Sequence, residues 1–592
     1  MNPTRTFDLL DHALHQFPGK NILAEKEGKS WNFYTAEQYH ELSHLFAYAL
    51  LELGFNVGDK IATITHNRPQ WNFVDMGMAL AGVVHVPVYT SMNSDEYLYI
   101  LTHSNARMVI LSGQKILQTI EPLFQQLDDL QYTYAFDSLP GIPHWSDLIE
   151  KGKKCTREIR EKVEQIKKEI VPGDLASIIY TSGTTGISKG VMLSHENLVR
   201  NALAADSVFQ LKPEDHYLSI IPVCHVGGRL GNYQTQYSGA CIFYAESMGT
   251  IASNLKEIKA TGFDAVPRIL EKIFDNVMAK GRALTGIKKR LFFWAVSLGL
   301  KYEPFGKKGW FYHQKLKVAD KLIFCKWREA LGGEARLVGC GGATLQPRLE
   351  RLFWAAGLKI LNMYGLTETS PIITINRKEP PLCKLGTVGK VIEGVEVRIS
   401  GDGEVLCRGH NVMIGYYKSP GLTREVIDDN GWFHTGDVGH LDEEGFLMIT
   451  DRKKEIFKLS NGKYIAPQPI ENKLKESPFI DQVMVLGENQ KFATALLVPD
   501  FNYLRAWSRS REFFNGTDNH ALICVPEVIA QFNHEVNQVN QFLSDWERIS
   551  RIRIVPDEWS PQTGELSASL KLKRKFLEAK YKEVLDAIYQ RH

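Results

Sequence analysis

The sequence predicts an α/β protein: a large N-terminal domain of mainly parallel sheets with flanking helices, followed by a smaller α+β C-terminal domain. Three observations carry this prediction. Short apolar, β-branched runs alternate with helix-like stretches through most of the chain, the pattern of strands buried on both faces of a parallel sheet. The 592 residues, 44% of them hydrophobic, exceed what one core holds and are enough to fill two or more. After Asp451-Arg452-Lys453-Lys454 the strands shorten and amphipathic helices take over. The domains are therefore drawn as residues 1–450 and 451–592.

Taken in order, residues 60–65, 82–89, 107–111, 175–180 and 217–222 read as buried strands. Residues 76–94 contain no Asp, Glu, Lys or Arg, but His85, Pro87 and the polar run from Thr90 to Ser94 break the stretch. It reads as a buried helix leading into a buried strand, not as a membrane span. Residues 286–309 are basic and aromatic, with Lys288, Lys289, Arg290, Phe292, Phe293, Trp294, Lys301, Lys307 and Lys308. They fit a membrane-surface helix, but the preferred reading is an ordinary amphipathic helix with solvated lysines, and any membrane association is expected to be peripheral. In the C-terminal part, residues 482–486 and 493–498 read as strands.

Composition excludes several function classes. Seventy basic side chains against 68 acidic ones give no footprint for nucleic acid, so no nucleic-acid partner is expected. The eight cysteines are scattered singly, which argues for reduced thiols and against a zinc site or disulfide framework. Asp8, Asp11 and His12 stand where a signal peptide needs its apolar run, and a cytoplasmic location is expected. No signal sets oligomeric state.

The most informative stretch is Tyr180-Thr181-Ser182-Gly183-Thr184-Thr185-Gly186-Ile187-Ser188-Lys189-Gly190, directly after an apolar strand. Glycines let backbone approach an anion, hydroxyls and successive N–H groups wrap phosphate oxygens, and Lys189 adds a point charge. It is not a Walker loop, because Ser188 stands where that motif demands glycine. The order of residues resembles the signature loop of the adenylate-forming superfamily, with Ser188 in place of the usual proline.

The resemblance extends from Asn67-Arg68-Pro69-Gln70-Trp71 to Arg574, with several motifs in the family's order. Met363-Tyr364-Gly365-Leu366-Thr367-Glu368-Thr369 resembles the adenylate-binding motif, which implies that Tyr364 stacks on adenine, Thr367 contacts phosphate and Glu368 holds Mg²⁺. Gly339-Cys340-Gly341-Gly342-Ala343 resembles the glycine turn along the adenine and acyl pocket, and Asp437 matches the aspartate that binds both ribose hydroxyls. The run Asp451 to Glu455 is similar to the hinge between domains, with Arg452 reaching the nucleotide and Lys454 beside it. Gly462 lies in a stretch like the loop that rotates in to form the coenzyme A tunnel. Leu570 to Arg574 is like the motif with the adenylation lysine, which the spacing assigns to Lys571 rather than Lys573. The lead-in Leu566-Ser567-Ala568-Ser569 departs from the family pattern.

Within the superfamily, the stretch from Pro222 to Arg229 and the long region 265–335 resemble the long-chain fatty acid branch, where the His225 loop borders the acyl site. Gly227 and Gly228 stand where that branch has an aromatic residue and a glutamate. The resemblance implies an enzyme that uses fatty acid, ATP, Mg²⁺ and coenzyme A, with a mobile C-terminal domain. Lys571, Lys189, His225, Thr367 and Glu368 are its implied catalytic residues, and Thr181, Ser182, Gly183, Thr184, Thr185, Gly186 and Gly365 join the nucleotide-binding set. Two alternatives keep the same ATP residues: an acyl-AMP ligase serving a carrier protein, and a nucleotide-binding protein without catalysis.

Overall fold

The computed structural model describes residues 2–181, 188–304, 308–567 and 571–590. The fold is mixed α/β, with a large N-terminal unit of sheets and helices and a smaller C-terminal unit. The first unit takes the chain up to Arg398, Leu406–His434 and Leu441–Met448. The second takes Ile399–Val405, Thr435–His440 and the chain from Ile449 onward.

Two sheets organise the first unit. In the larger, six parallel strands lie in the order Lys359–Gly365, Leu337–Cys340, Gly262–Ala265, His216–Ser219, Cys241–Tyr244 and Asn21–Glu27. Antiparallel Ser30–Thr35 closes one edge, and Ile372–Ile375 with Lys390–Val391 closes the other. The second sheet has a parallel core of Leu175–Thr181, Val84–Val88, Lys60–Ile64, Ala106–Leu111 and Tyr132–Ala135. Antiparallel Lys189–Ser194 and Gly415–Tyr416 extend it.

The uncharged stretch 76–94 resolves as the end of helix Pro69–Leu80, the strand Val84–Val88 and the start of helix Ser94–Ser104. Every residue of the first two elements is buried. Pro69 opens the helix at a position whose N–H needs no intrahelical partner. Among the described residues no helix is long and apolar enough to cross a membrane.

A buried polar brace joins that helix to its neighbours. The Asp75 carboxylate accepts from Tyr233 Oη at 2.6 Å and from Arg229, and lies 2.6 Å from His85 Nδ1. Burial alone would raise the Asp75 pKa, but the Arg229 charge and the His85 and Tyr233 hydrogen bonds hold it below the ordinary value. Three elements are thereby locked together: helix Pro69–Leu80, strand Val84–Val88 and helix Val226–Ser238.

The basic stretch beginning at Gly286 forms helix Gly286–Gly299, which buries Phe292, Ala295, Val296 and Gly299 and leaves its lysines exposed. A second helix, Trp310–Ala319, follows; Lys307 lies outside the described residues.

The second unit has its own core, drawn from residues between Phe457 and Ile588. Its sheet pairs Ile480–Leu486 antiparallel to Ala493–Pro499, which pairs parallel to Ile549–Ile554. The hairpin of Phe457–Lys458 and Tyr464–Ile465 precedes it.

Candidate active site

Parallel strands deliver their following loops to one edge of a sheet, the carboxyl edge, where open α/β proteins bind ligands. In the larger sheet those loops carry His225 after His216–Ser219, Val266 after Gly262–Ala265, and Gly341-Gly342-Ala343 after Leu337–Cys340. Tyr364 and Gly365 end the strand Lys359–Gly365, and Thr367, Glu368 and Thr369 form a single 3₁₀ turn beyond it. The loops touch: a Cβ on Gly341 would lie 2.9 Å from Met363 Cγ, and one on Gly342 would lie 3.8 Å from Val266. At Gly365 the approach is closer still, since a Cβ would sit 1.6 Å from the Pro371 carbonyl oxygen, so only glycine fits.

Glu368 is held from a distant part of the chain. Tyr416 Oη donates to its Oε1 at 2.9 Å, and Met413 N–H donates to its backbone carbonyl at 2.9 Å. The Lys189 ammonium lies over the same Tyr416 ring, 4.8 Å from its centroid. Burial and the Glu368 charge push the Tyr416 pKa up, which keeps its hydroxyl a donor. Tyr416 thus joins the Lys189 ammonium to the Glu368 carboxylate. No local motif marks it in the sequence; its partner is 48 residues away.

The cradle itself is anchored by an antiparallel hairpin in which Thr181 pairs with Lys189 and Tyr180 with Gly190. Residues Ser182, Gly183, Thr184, Thr185, Gly186 and Ile187 lie outside the described residues.

His225 caps helix Val226–Ser238, its Nδ1 accepting the Gly227 N–H at 2.9 Å. A neutral ring with this bond carries its proton on Nε2. Asn67 fixes the loop before it, accepting from Val223 N–H at 2.9 Å and donating to the Ile221 carbonyl at 2.8 Å. A cluster with no sequence motif lies nearby on the sheet: Tyr217 Oη donates to Asp264 at 2.7 Å, and burial raises the Asp264 pKa to about 6.

The remaining residues belong to the second unit. Asp437, almost fully buried, lies 3.2 Å from Arg452 Nε. A carboxylate can accept two hydrogen bonds at once, the chemistry that a vicinal diol requires. Burial raises the Asp451 pKa to about 6, although the N–H groups of Gln468 and Arg452 bond to its carboxyl at 3.0 and 2.6 Å. Lys453 pairs with Asp402 and Glu404 at 2.6 and 2.9 Å, while Lys454 is exposed.

Gly462 turns the hairpin between Phe457–Lys458 and Tyr464–Ile465 with φ +87°, a conformation that favours glycine. Lys571 is exposed and bonded to Ser567, whose N–H donates to the Lys571 carbonyl at 2.7 Å and whose Oγ accepts from Lys571 N–H at 3.1 Å. Leu570 lies outside the described residues. Arg574, three residues on, meets both Glu471 oxygens at 2.8 Å and Glu455 at 3.1 Å. The charge run ending at Glu455 and the basic motif ending at Arg574 are therefore physically joined, which their separation in sequence conceals.

No group of three His, Cys, Asp or Glu that could hold a metal occurs among the described residues. A magnesium ion that arrives with nucleotide phosphates needs only one or two carboxylates, and Glu368 fits that requirement.

The AMP-binding enzyme model matches residues 10–417, and the model for the AMP-binding enzyme C-terminal domain matches 454–592. The chain is 31% identical over 567 residues to the long-chain-fatty-acid–CoA ligase FadD15 of Mycobacterium bovis, covering 95% of this chain and 93% of that one. It is 30% identical over 612 residues to the human long-chain-fatty-acid–CoA ligase ACSBG2, covering 98% and 91%. Among solved structures, the Mycobacterium tuberculosis fatty acyl CoA synthetase shares the fold with a TM-score of 0.63 at 20% identity, covering 98% of this chain and 99% of that one. By the family model spanning most of its length, and by relatives aligned along almost all of it, the chain belongs to the AMP-binding enzyme family.

Proposed function

We propose that this protein is an AMP-forming long-chain fatty acid–CoA ligase, which activates a fatty acid with ATP and passes the acyl group to coenzyme A. The observation that carries the reading is the Lys189–Tyr416–Glu368 constellation beside the carboxyl-edge loops, in a chain aligned end to end with long-chain fatty acid–CoA ligases.

In the first half-reaction a fatty carboxylate oxygen attacks the α-phosphate of ATP; a P–O bond forms to the acyl group and pyrophosphate leaves. Lys189 and Lys571 offset charge on the phosphates, Thr367 and the loop 181–186 hold phosphate oxygens, and catalysis is mainly positioning and preorganised electrostatics. Tyr364, Gly341, Gly342 and Ala343 border the adenine, and Asp437 with Arg452 takes the ribose. Glu368 is the residue that would hold Mg²⁺, which supplies charge neutralisation when bound. His225 borders the acyl chain. In the second half-reaction the C-terminal unit turns about residues 451–454, Gly462 lines the coenzyme A passage, and the thiolate attacks the acyl carbonyl as AMP leaves. The protein acts as a peripheral enzyme at a membrane surface, where its fatty acid substrate partitions.

Thioester formation from ATP, coenzyme A and a panel of fatty acids tests the reading. A fatty-acid-dependent ATP–pyrophosphate exchange without thioester product would assign the enzyme to acyl-AMP transfer instead, and absence of exchange would overturn it.

A further inference from the structure

The most unusual surface of the molecule lies between Gly286 and Leu322. Helix Trp310–Ala319 buries only Ala319. Trp310 and Phe311 are 66% and 76% exposed, their rings in edge contact at 5.0 Å, and Val318 and Leu322 are 50% and 42% exposed. Phe311, Val318 and Leu322 are spaced seven and four residues apart, so they lie on one helical stripe. Four large apolar side chains exposed this close together on a surface mark a site that something covers.

What covers it is indicated by charge. Residues 286–322 contain nine Lys or Arg and two acids. Both acids are already engaged, Glu303 with Arg351 at 3.1 Å and Asp320 with Arg328 at 2.6 Å. Lys315, Lys317 and Lys321 are exposed and interleaved with the stripe. Protein interfaces are depleted in lysine at their cores, whereas a bilayer accepts lysines that run their stems along the apolar face and leave the ammonium at the headgroups. Trp and Phe beside such lysines form the apolar side of an interfacial helix.

We propose that helix Trp310–Ala319 and the turn to Leu322 dock on an anionic lipid bilayer, inserting Trp310, Phe311, Val318 and Leu322 between headgroups. The inference rests on the peripheral part of the functional reading and assigns it to this second helix, with the lysines of helix Gly286–Gly299 as a secondary electrostatic contact. The docked element connects to the acyl side of the site. Tyr312 Oη donates to the Leu298 carbonyl at 3.0 Å, fixing it to helix Gly286–Gly299. That helix packs Phe292 on Gly281 of helix Pro267–Ala283, which begins directly after Val266 at the carboxyl edge. Docking there sets this wall of the acyl site next to the phase that holds the fatty acid.

The test is co-sedimentation of the full chain with phosphatidylcholine vesicles, with and without about one third phosphatidylserine. The wild type is expected to bind the anionic vesicles and to release them at high salt. W310S/F311S should weaken binding at least tenfold at every salt concentration at which the wild type binds, and K315E/K321E should weaken it most at low salt. Thioester formation from a fatty acid carried on albumin should be unchanged in both variants. A wild type that ignores anionic vesicles overturns the peripheral reading itself. Wild-type binding that W310S/F311S retains overturns the assignment to this helix alone. If W310S/F311S instead converts a dimer to a monomer without lipid, the face is an interface between copies and the proposal falls.

Discussion

Glu368 and Tyr416 meet across 48 positions of sequence, and their hydrogen bond gives the metal-binding proposal a graded test. Glu368→Gln is expected to lower acyl-AMP formation by about two to three orders of magnitude, the scale for losing one preorganised charge-stabilising group. Tyr416→Phe keeps the charge but removes the donor that orients it, so a loss of about tenfold is expected. Equal losses in pyrophosphate exchange, or a near-normal Glu368→Gln, would contradict the assignment. Glu350 offers a separate, purely energetic test. It is fully buried, with Oε1 unpartnered and Oε2 accepting from Gly386 N–H at 2.7 Å, and burial raises its pKa from 4.5 to about 8. A carboxyl with its folded pKa above the unfolded value holds its proton more tightly when folded. The stability contributed by this carboxyl is therefore fully present below about pH 4.5 and is lost as pH rises through about 8. Glu350→Gln should match the wild type near pH 4.5 and exceed it at pH 8.5, by on the order of 3 kcal/mol. A pH-independent difference in denaturation midpoint would show that Glu350 is not protonated as its burial requires.

At the scale of elements, the exposed Lys571 loop and the Gly462 hairpin belong to one unit yet are proposed to serve different half-reactions. Lys571→Ala should abolish acyl-AMP formation from ATP while leaving conversion of supplied acyl-AMP to thioester, because an ammonium there acts only while phosphate is the electrophile. Gly462→Leu places a side chain at φ +87° on an exposed turn, and should spare adenylation while slowing thioester formation. Loss of the same half-reaction in both variants would remove the two-conformation mechanism. These motifs were legible because each is a short string with chemistry of its own. Their support was not: Arg574 reaches Glu471 and Glu455 across 103 and 119 residues, and nothing local in the sequence announces those pairs.

For the whole molecule, the division into two units has a direct consequence for folding. The second core draws only on residues between Phe457 and Ile588, so a fragment spanning 454–592 should unfold cooperatively on its own. A broad, non-cooperative denaturation of that fragment would mean that it depends on Ile399–Val405 and Thr435–His440, which cluster with it. Those two segments are invisible to composition, because one is the turn joining strands Val395–Ile399 and Glu404–Gly409 and the other lies within strand Phe433–Leu441.

By itself the sequence determined the α/β class, the buried helix-to-strand reading of the uncharged stretch after Met76, and the order of the nucleotide motifs. Each depends on periodicity or on neighbours within a few residues, and local physics is written locally. Only the tertiary structure decided that Tyr416 bridges Lys189 and Glu368, that Asp75 is braced by His85, Arg229 and Tyr233, and that burial raises the pKa of Asp264 and of Glu350. It also decided that the apolar side of the basic region faces outward on helix Trp310–Ala319. A pKa, an ion pair or an exposed face depends on what packs around a residue, and those neighbours come from distant parts of the chain, where no pattern in the residue's own stretch of sequence names them.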